Sequence, residues 1–322
     1  MGTIGKYKKD TLGTRIKENY ENRTKQFLTR RVPTIIRLDG KAFHTYTKGL
    51  NKPFDDGLIA DMQETTKFLC ENVQGCKLGY TQSDEITLVL TDYDNLQTDA
   101  WFDYNVQKMT SVSASMATAK FNQLRVKREA DMFYRTKETV LTFVKELIEE
   151  DTFIPLAFFD SRVFQIGEKE EVVNSLIWRQ QDAERNSIQM LAQSLYSQKQ
   201  LHGKNTSVLQ DMCWDKGQNW NDLDSSKKRG SLIIKNTYVN DIICRVYPIH
   251  ADSEGEYEFY PRKCRDDIAE NTCRVCVPKL ISEEMGYVQT WEQVKIKKLR
   301  TKWEVVDTPI FTKDRDVILN LI

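Results

Sequence analysis

The apolar residues of this chain fall into short blocks that alternate between the period of a strand and that of a helix. Thr34-Ile35-Ile36-Arg37-Leu38, following Pro33, is rich in β-branched side chains and predicts a first strand. Gly40 permits a tight turn, and Asp55 is placed to cap a helix that uses Leu58, Met62, Phe68 and Leu69. Gly75 breaks that helix. Leu78 to Thr81 and Ile86 to Leu90 then predict two strands, with Gln82-Ser83-Asp84-Glu85 as the turn between them. Residues 103–126 space Val106, Met109, Met116 and Leu124 for a helix, residues 131–149 predict another, and Leu156 to Phe159 predict a closing strand. Ahead of all this, residues 14–31 have a charged, helical pattern ending in Arg30-Arg31.

That order of elements predicts an α+β protein of ferredoxin-like βαββαβ arrangement with an added helix. Such a layout puts the first and third strands at the sheet centre, so the end of the first strand and the hairpin turn converge. Further on, residues 169–198 predict a long helix with Arg179, Asp182 and Asn186 on one face. Residues 231–249 look strand-rich, 251–290 polar and irregular, and 291–322 mixed basic and apolar. The expected division is therefore a main domain over 1–240 and a strand-rich C-terminal extension with an irregular insertion over 241–322.

Composition narrows the classes of function. The 47 basic and 47 acidic residues cancel, so a nucleic acid would have to be held by local basic patches such as Lys227-Lys228-Arg229 or Lys295-Lys297-Lys298-Arg300. Seven scattered cysteines fit a reducing compartment. Met1 to Asp10 is polar and basic, and no run approaches the ~20 apolar residues of a membrane span, which predicts a cytoplasmic protein with no membrane partner. Cys264, Cys273 and Cys276, with His250 or Cys244, form one Cys-x-x-Cys pair and incomplete company for zinc; plain reduced cysteines are the competing reading.

The chemistry concentrates in two acidic motifs, Arg37-Leu38-Asp39-Gly40 and Gln82-Ser83-Asp84-Glu85. Carboxylates gathered at strand ends repel one another unless a cation offsets them, and Mg²⁺ is the hard, oxygen-seeking ion that accompanies nucleotide phosphates. Two-metal phosphoryl transfer needs bridging carboxylates, a role that suits Asp39 and Asp84. The Gly40 carbonyl is placed to add a ligand, and the backbone amides from Lys41 to His44 to cradle phosphate oxygens.

Arg37-Leu38-Asp39-Gly40-Lys41-Ala42-Phe43-His44, Asn51-Lys52-Pro53-Phe54-Asp55, Gln82-Ser83-Asp84-Glu85, Trp178-Arg179-Gln180 and Lys228-Arg229-Gly230 together resemble the tRNA-histidine guanylyltransferase family, the reverse-direction polymerases, over about residues 30 to 235. The resemblance implies a polymerase-type palm that adds nucleotides to the 5′ end of tRNA after activating that end with ATP or GTP. It implies two Mg²⁺ ions on Asp39, the Gly40 carbonyl and Asp84, with Glu85 as a further acidic catalytic residue. Nucleotide contacts would come from residues 39 to 44 (Asp39, Gly40, Lys41, Ala42, Phe43, His44), and from Lys52, Ser83, Asp84, Lys108 and Asn186. Arg179, Lys228 and Arg229 would face RNA, and the family's habit implies a homodimer or homotetramer.

Two departures refine the resemblance. Glu184-Arg185-Asn186-Ser187 stands where the eukaryotic enzymes carry His-Ile-Asn-Asn, and Asn105 stands where a triphosphate-binding Arg is expected. The chain is thus more similar to the bacterial, archaeal and phage guanylyltransferase-like branch, which is associated with template-dependent repair of tRNA 5′ ends. A palm-type nucleotide cyclase, or a tRNA-binding protein without catalysis, would use the same surfaces.

Overall fold

The computed structural model describes residues 11–135, 155–246 and 292–322. The strands are β1 (Thr34–Gly40), β2 (Cys76–Gln82), β3 (Glu85–Leu90), β4 (Phe159–Gln165), β5 (Ser231–Val246) and β6 (Glu292–Val306). They form one sheet in the order β4-β1-β3-β2-β5-β6, whose first four members have the ferredoxin-like order with β1 and β3 at the centre. Every registered pair is antiparallel: β1 with β3 and β4, and β2 with β3 and β5. Because β3 is covered on both faces, all six of its residues are buried, which explains its unbroken apolar signal.

The helices are α1 (Leu12–Asn19), α2 (Phe43–Tyr46), α3 (Asp56–Asn72), α4 (Val106–Arg135), α5 (Lys169–Leu195), α6 (Gln198–Leu201), α7 (Thr206–Asp215), α8 (Ser225–Arg229) and α9 (Arg315–Leu319). On one face of the sheet Ile36, Leu38, Ile86 and Leu88 pack against Met62 and Leu69 of α3 and Met109, Ala117 and Phe121 of α4. On the other, Ile35, Leu78, Tyr80 and Val89 meet Val172, Val173 and Leu176 of α5, with Phe311 and Ile318 closing the layer. Alternation along each strand does this sorting, since neighbours point to opposite faces. Asp55 caps α3 as expected, its Oδ1 accepting from the Leu58 amide at 2.8 Å.

Several elements differ from expectation. The helix expected over 14–31 stops at Asn19, followed by a 3₁₀ turn over Glu21–Thr24. Beyond it the chain is drawn out to pair Phe27 with Asn105, and Arg30 and Arg31 are captured by Asp92. The strand expected at Leu156 to Phe159 instead begins at Phe159; Ala157 is fastened in a loop by both amide atoms of Asn122. The helix expected over 131–149 lies mostly outside the described residues, as do residues 251–290 and the cysteines 264, 273 and 276.

The chain divides into two compact units. The first takes in the described residues to Ile234 together with Trp303–Ile322; the second is Lys235–Lys302, of which residues 235–246 of β5 and 292–302 of β6 are described. The last twenty residues, expected within the extension, therefore belong to the first unit. Phe311, Ile318 and Ile322 fill the α5 face of its sheet, a burial that a mixed basic and apolar segment did not signal.

Candidate active site

Cross-strand register assembles the site at the Gly40 end of the sheet. Asp160 of β4, Asp39 of β1, Glu85 of β3 and Gln82 of β2 are successive Cα partners, so their side chains share one face and one level. Two residues inward on the same face lie Arg162, Arg37 and Thr87. Ser83 and Asp84 make the two-residue turn of the β2–β3 hairpin, with Ser83 at φ 50°. The Gly40 amide donates to the Asp84 carbonyl at 3.1 Å, which ties the two acidic motifs together. Gly40 is also sterically required: a Cβ there would lie 2.3 Å from the Phe43 ring, which packs against Tyr46, Phe121 and Phe159.

Of the carboxylates here, Asp84 has no basic group among the described residues acting on it. Burial pushes the Asp84 carboxyl above its ordinary range, and the charge of Asp39 pushes it further. Against this stand only the Asp84 backbone amide and the Ser83 hydroxyl, which donates to Asp84 Oδ1 at 3.1 Å. Since Asp84 has a raised value in the folded state, it favours folding when protonated, and that contribution is lost as pH rises through the folded-state value. At neutral pH the ionised group therefore weakens the ion-free protein, and Asp84→Asn should raise its melting temperature by a few degrees. Scanning calorimetry at pH 5 and pH 7.5 checks this, the gain being larger at the higher pH; a fall in melting temperature at pH 7.5 would contradict it.

Glu85 stands differently. Burial raises its carboxyl too, but Arg179 offsets this: Nη1 of Arg179 lies 2.8 Å from Glu85 Oε2, both side chains being 11% exposed. Arg179 also stacks on Trp178, 3.5 Å from the ring centroid. It is thus the partner of Glu85. Asp182 and Asn186 continue the same helix face, with Asp182 3.6 Å from Arg179 and the Asn186 amide donating to Asp182 at 3.4 Å.

The other residues singled out from the sequence distribute as follows. The Lys41 amide is committed to the Phe158 carbonyl at 2.8 Å, while those of Ala42, Phe43 and His44 make no hydrogen bond among the described residues. Of the four amides expected to cradle phosphate oxygens, one is thus already engaged. Lys52 is exposed beside a cavity of about 650 Å³ bordered by Asn51, Phe54, Arg125 and Arg128. Lys108 is not brought to this end. Its helix runs from the Phe27–Asn105 bridge toward Thr118, which bonds the Phe159 amide, so the first turn of α4 lies at the opposite end of β1.

Asn105 caps that helix through the Lys108 amide at 3.0 Å and is buried, which accounts locally for an amide side chain there. Glu184 and Ser187 likewise have structural partners: Glu184 lies 3.6 Å from Arg229 Nε, and the Ser187 hydroxyl binds the Lys228 carbonyl and the Trp220 indole. Lys228 reaches the Asn221 carbonyl at 2.7 Å. Lys228 and Arg229 are thus held against α5 rather than spread over an open basic surface. Gly230 at φ 79° lets this segment abut β2, where a Cβ would lie 2.5 Å from the Thr81 carbonyl.

Asp160 and Arg162 also lie at this end of the sheet, where neither was expected. Their signal was the i, i+2 spacing of polar residues beyond Phe159, which on an edge strand places both on the Asp39 face. Among the described residues no group of three or more His, Cys, Asp or Glu is arranged to hold a metal ion. Asp39 and Asp84, the two ligands expected from the sequence, are oxygen donors of the kind that suits a hard divalent cation.

An antiparallel sheet of ferredoxin-like order, with acidic residues at the end of its first strand and in the adjoining hairpin, places the chain among the α+β proteins of palm type. The family model for Thg1, tRNAHis guanylyltransferase, matches residues 14–167. A bacterial tRNA(His) guanylyltransferase (Thg1)-like protein solved in complex with ATP is 35% identical, covering 97% of this chain and 99% of that one at a TM-score of 0.66; its complex with GTP gives 0.63. An uncharacterized protein of Acanthamoeba polyphaga mimivirus, R259, is 32% identical over 173 residues, 50% of this chain and 55% of that protein. The match thus spans about half the length of this viral relative. The chain belongs to the tRNAHis guanylyltransferase family, whose members are nucleotidyltransferases.

No helix among the described residues is long and apolar enough to cross a membrane.

Proposed function

We propose that this protein adds nucleotides to the 5′ end of tRNA in the 3′-to-5′ direction, using ATP and GTP. The observation that carries this reading is the tie between the two acidic motifs: the Gly40–Asp84 backbone bond and the cross-strand pairing of Asp39 with Glu85 gather the carboxylates at one strand end. Asp39, Asp84 and the Gly40 carbonyl would hold Mg²⁺, with phosphate and water oxygens completing the coordination. When bound, Mg²⁺ supplies Lewis-acid activation of phosphoryl oxygens and a template for the triphosphate.

The protein groups have separate tasks. The amides of Ala42, Phe43 and His44 donate to phosphate oxygens, as does the Ser83 hydroxyl once released from Asp84. Arg179 favours the charged form of Glu85 and holds it in place rather than contacting substrate itself. Lys52, on the exposed loop after α2, meets the activating nucleotide. The tRNA 5′ monophosphate is activated first, and the 3′ hydroxyl of an incoming nucleotide then attacks that end. Lys108, remote from Asp39 within one copy, would serve the nucleotide of a neighbouring copy in a dimer or tetramer. The bacterial relative's ATP and GTP complexes support the choice of nucleotides.

Incubating 5′-truncated tRNA transcripts with each labelled nucleoside triphosphate and Mg²⁺ tests this. Additions that copy the opposite strand are expected, marking repair of 5′ ends. A single G added only to full-length histidine tRNA would assign maturation instead. Release of a cyclic nucleotide without RNA, or nucleotide binding without any addition, would overturn the proposal.

A further inference from the structure

The carboxylates at the Gly40 end face an inner row of cations, and those cations are not equally engaged. Arg179 is committed to Glu85, and Arg37 lies against the Trp178 ring at 5.7 Å. Arg162 is shared: its Nη2 lies 3.3 Å from Asp160 Oδ2 and 3.7 Å from Asp39 Oδ2. The three side chains are about half exposed, at 50%, 56% and 42%. Exposed pairs of this kind contribute little to stability, so holding the sheet together does not explain the arrangement. Hydrogen bonding along β1–β4 already does that.

We propose that Arg162 is a positioning residue that opposes the binding of a bare divalent cation at Asp39, with Asp160 drawing the guanidinium aside when that cation arrives. The inference rests on the reading of Asp39 as a metal ligand. A guanidinium close to the Asp39 oxygens lowers their attraction for a second cation, because like charges a few ångströms apart repel even at surface dielectric. Asp160 lies directly across the strand from Asp39, so Arg162 can lean fully onto it by side-chain rotation alone. A nucleoside triphosphate brings enough negative charge to offset Arg162. Ion binding thereby becomes coupled to nucleotide binding, and the site fills with the ion–nucleotide complex in preference to the free ion.

Isothermal titration of the full, nucleotide-free chain with Mn²⁺ at low ionic strength tests this without reading activity. Arg162→Gln should tighten Mn²⁺ binding, on the order of fivefold, with the gain shrinking as salt is raised. Asp160→Asn should weaken it, because Arg162 then leans on Asp39 alone. The double variant Asp160→Asn with Arg162→Gln should bind as tightly as Arg162→Gln. Unchanged or weaker binding by Arg162→Gln overturns the proposal. A double variant as weak as Asp160→Asn also overturns it, since Asp160 would then be a ligand in its own right. Asp39→Asn separates the two layers of the argument: undiminished Mn²⁺ binding there removes the metal reading itself, and the proposal with it.

Discussion

Arg179→Ala is expected to lower the stability of the protein by about 3 kcal/mol, the range observed when one partner of a buried ion pair is removed. Arg179 and Glu85 are each 11% exposed, and they meet at 2.8 Å. Glu85 Oε1 is already buried without a hydrogen-bond partner, so the Arg179 contact is what compensates the charge. Burial raises the Glu85 carboxyl even with the arginine in place. Without it the value rises further, and a raised carboxyl favours the folded state only below its titration range. The deficit of Arg179→Ala should therefore grow as pH rises from 5 to 8, measured by urea unfolding. Adding Glu85→Gln removes the stranded charge and should restore a large part of the loss. A deficit under about 1 kcal/mol with no pH dependence would show that water, rather than Arg179, satisfies Glu85.

The same pair shows why some of the site was legible in sequence and some was not. The acidic motifs declared themselves because Asp39-Gly40 ends a β-branched run and Asp84 sits between two apolar ones, so fold and chemistry pointed to the same strand ends. β1, β2, β3 and α3 follow for the same reason: each has a clean period and a punctuating Gly, Pro or cap. β4 was misplaced because an edge strand buries only half its residues, and Asp160, Ser161 and Arg162 diluted the apolar signal that Leu156 to Phe159 carried more strongly.

Side-chain direction was the larger difficulty. Arg179, Lys228 and Arg229 are basic residues near a site expected to meet RNA, and nothing in their spacing says that their partners are Glu85, the Asn221 carbonyl and Glu184. Those partners lie far away in sequence or on another element, so only the folded register reveals them. Asn105 shows the converse: its capping bond runs to the Lys108 amide only three residues on, a local signal that the expected helix over 103–126 passed over. The return of Trp303–Ile322 to the first unit was legible only through Phe311, Ile318 and Ile322, too few residues to outweigh the basic ones around them.

Asp39→Ala and Asp84→Ala should each abolish nucleotide addition, a loss on the order of a thousandfold or more, since several kcal/mol of transition-state stabilisation depend on the ion that both carboxylates would hold. Neither change should unfold the protein. Asp39 is partly exposed, and among the described residues its one ion pair is the long contact to Arg162, while Asp84 carries a charge that burial already disfavours. This separates the aspartates from Glu85, whose replacement disturbs a buried pair and is expected to show in stability as well as in rate. Single-turnover addition to a 5′-truncated tRNA, beside thermal unfolding of the same preparations, distinguishes the two cases. Full Mg²⁺-dependent addition by either aspartate variant would mean that the gathered carboxylates are not the metal site. A melting transition lost in Asp39→Ala would instead mark that residue as structural, which its exposure at the end of β1 argues against.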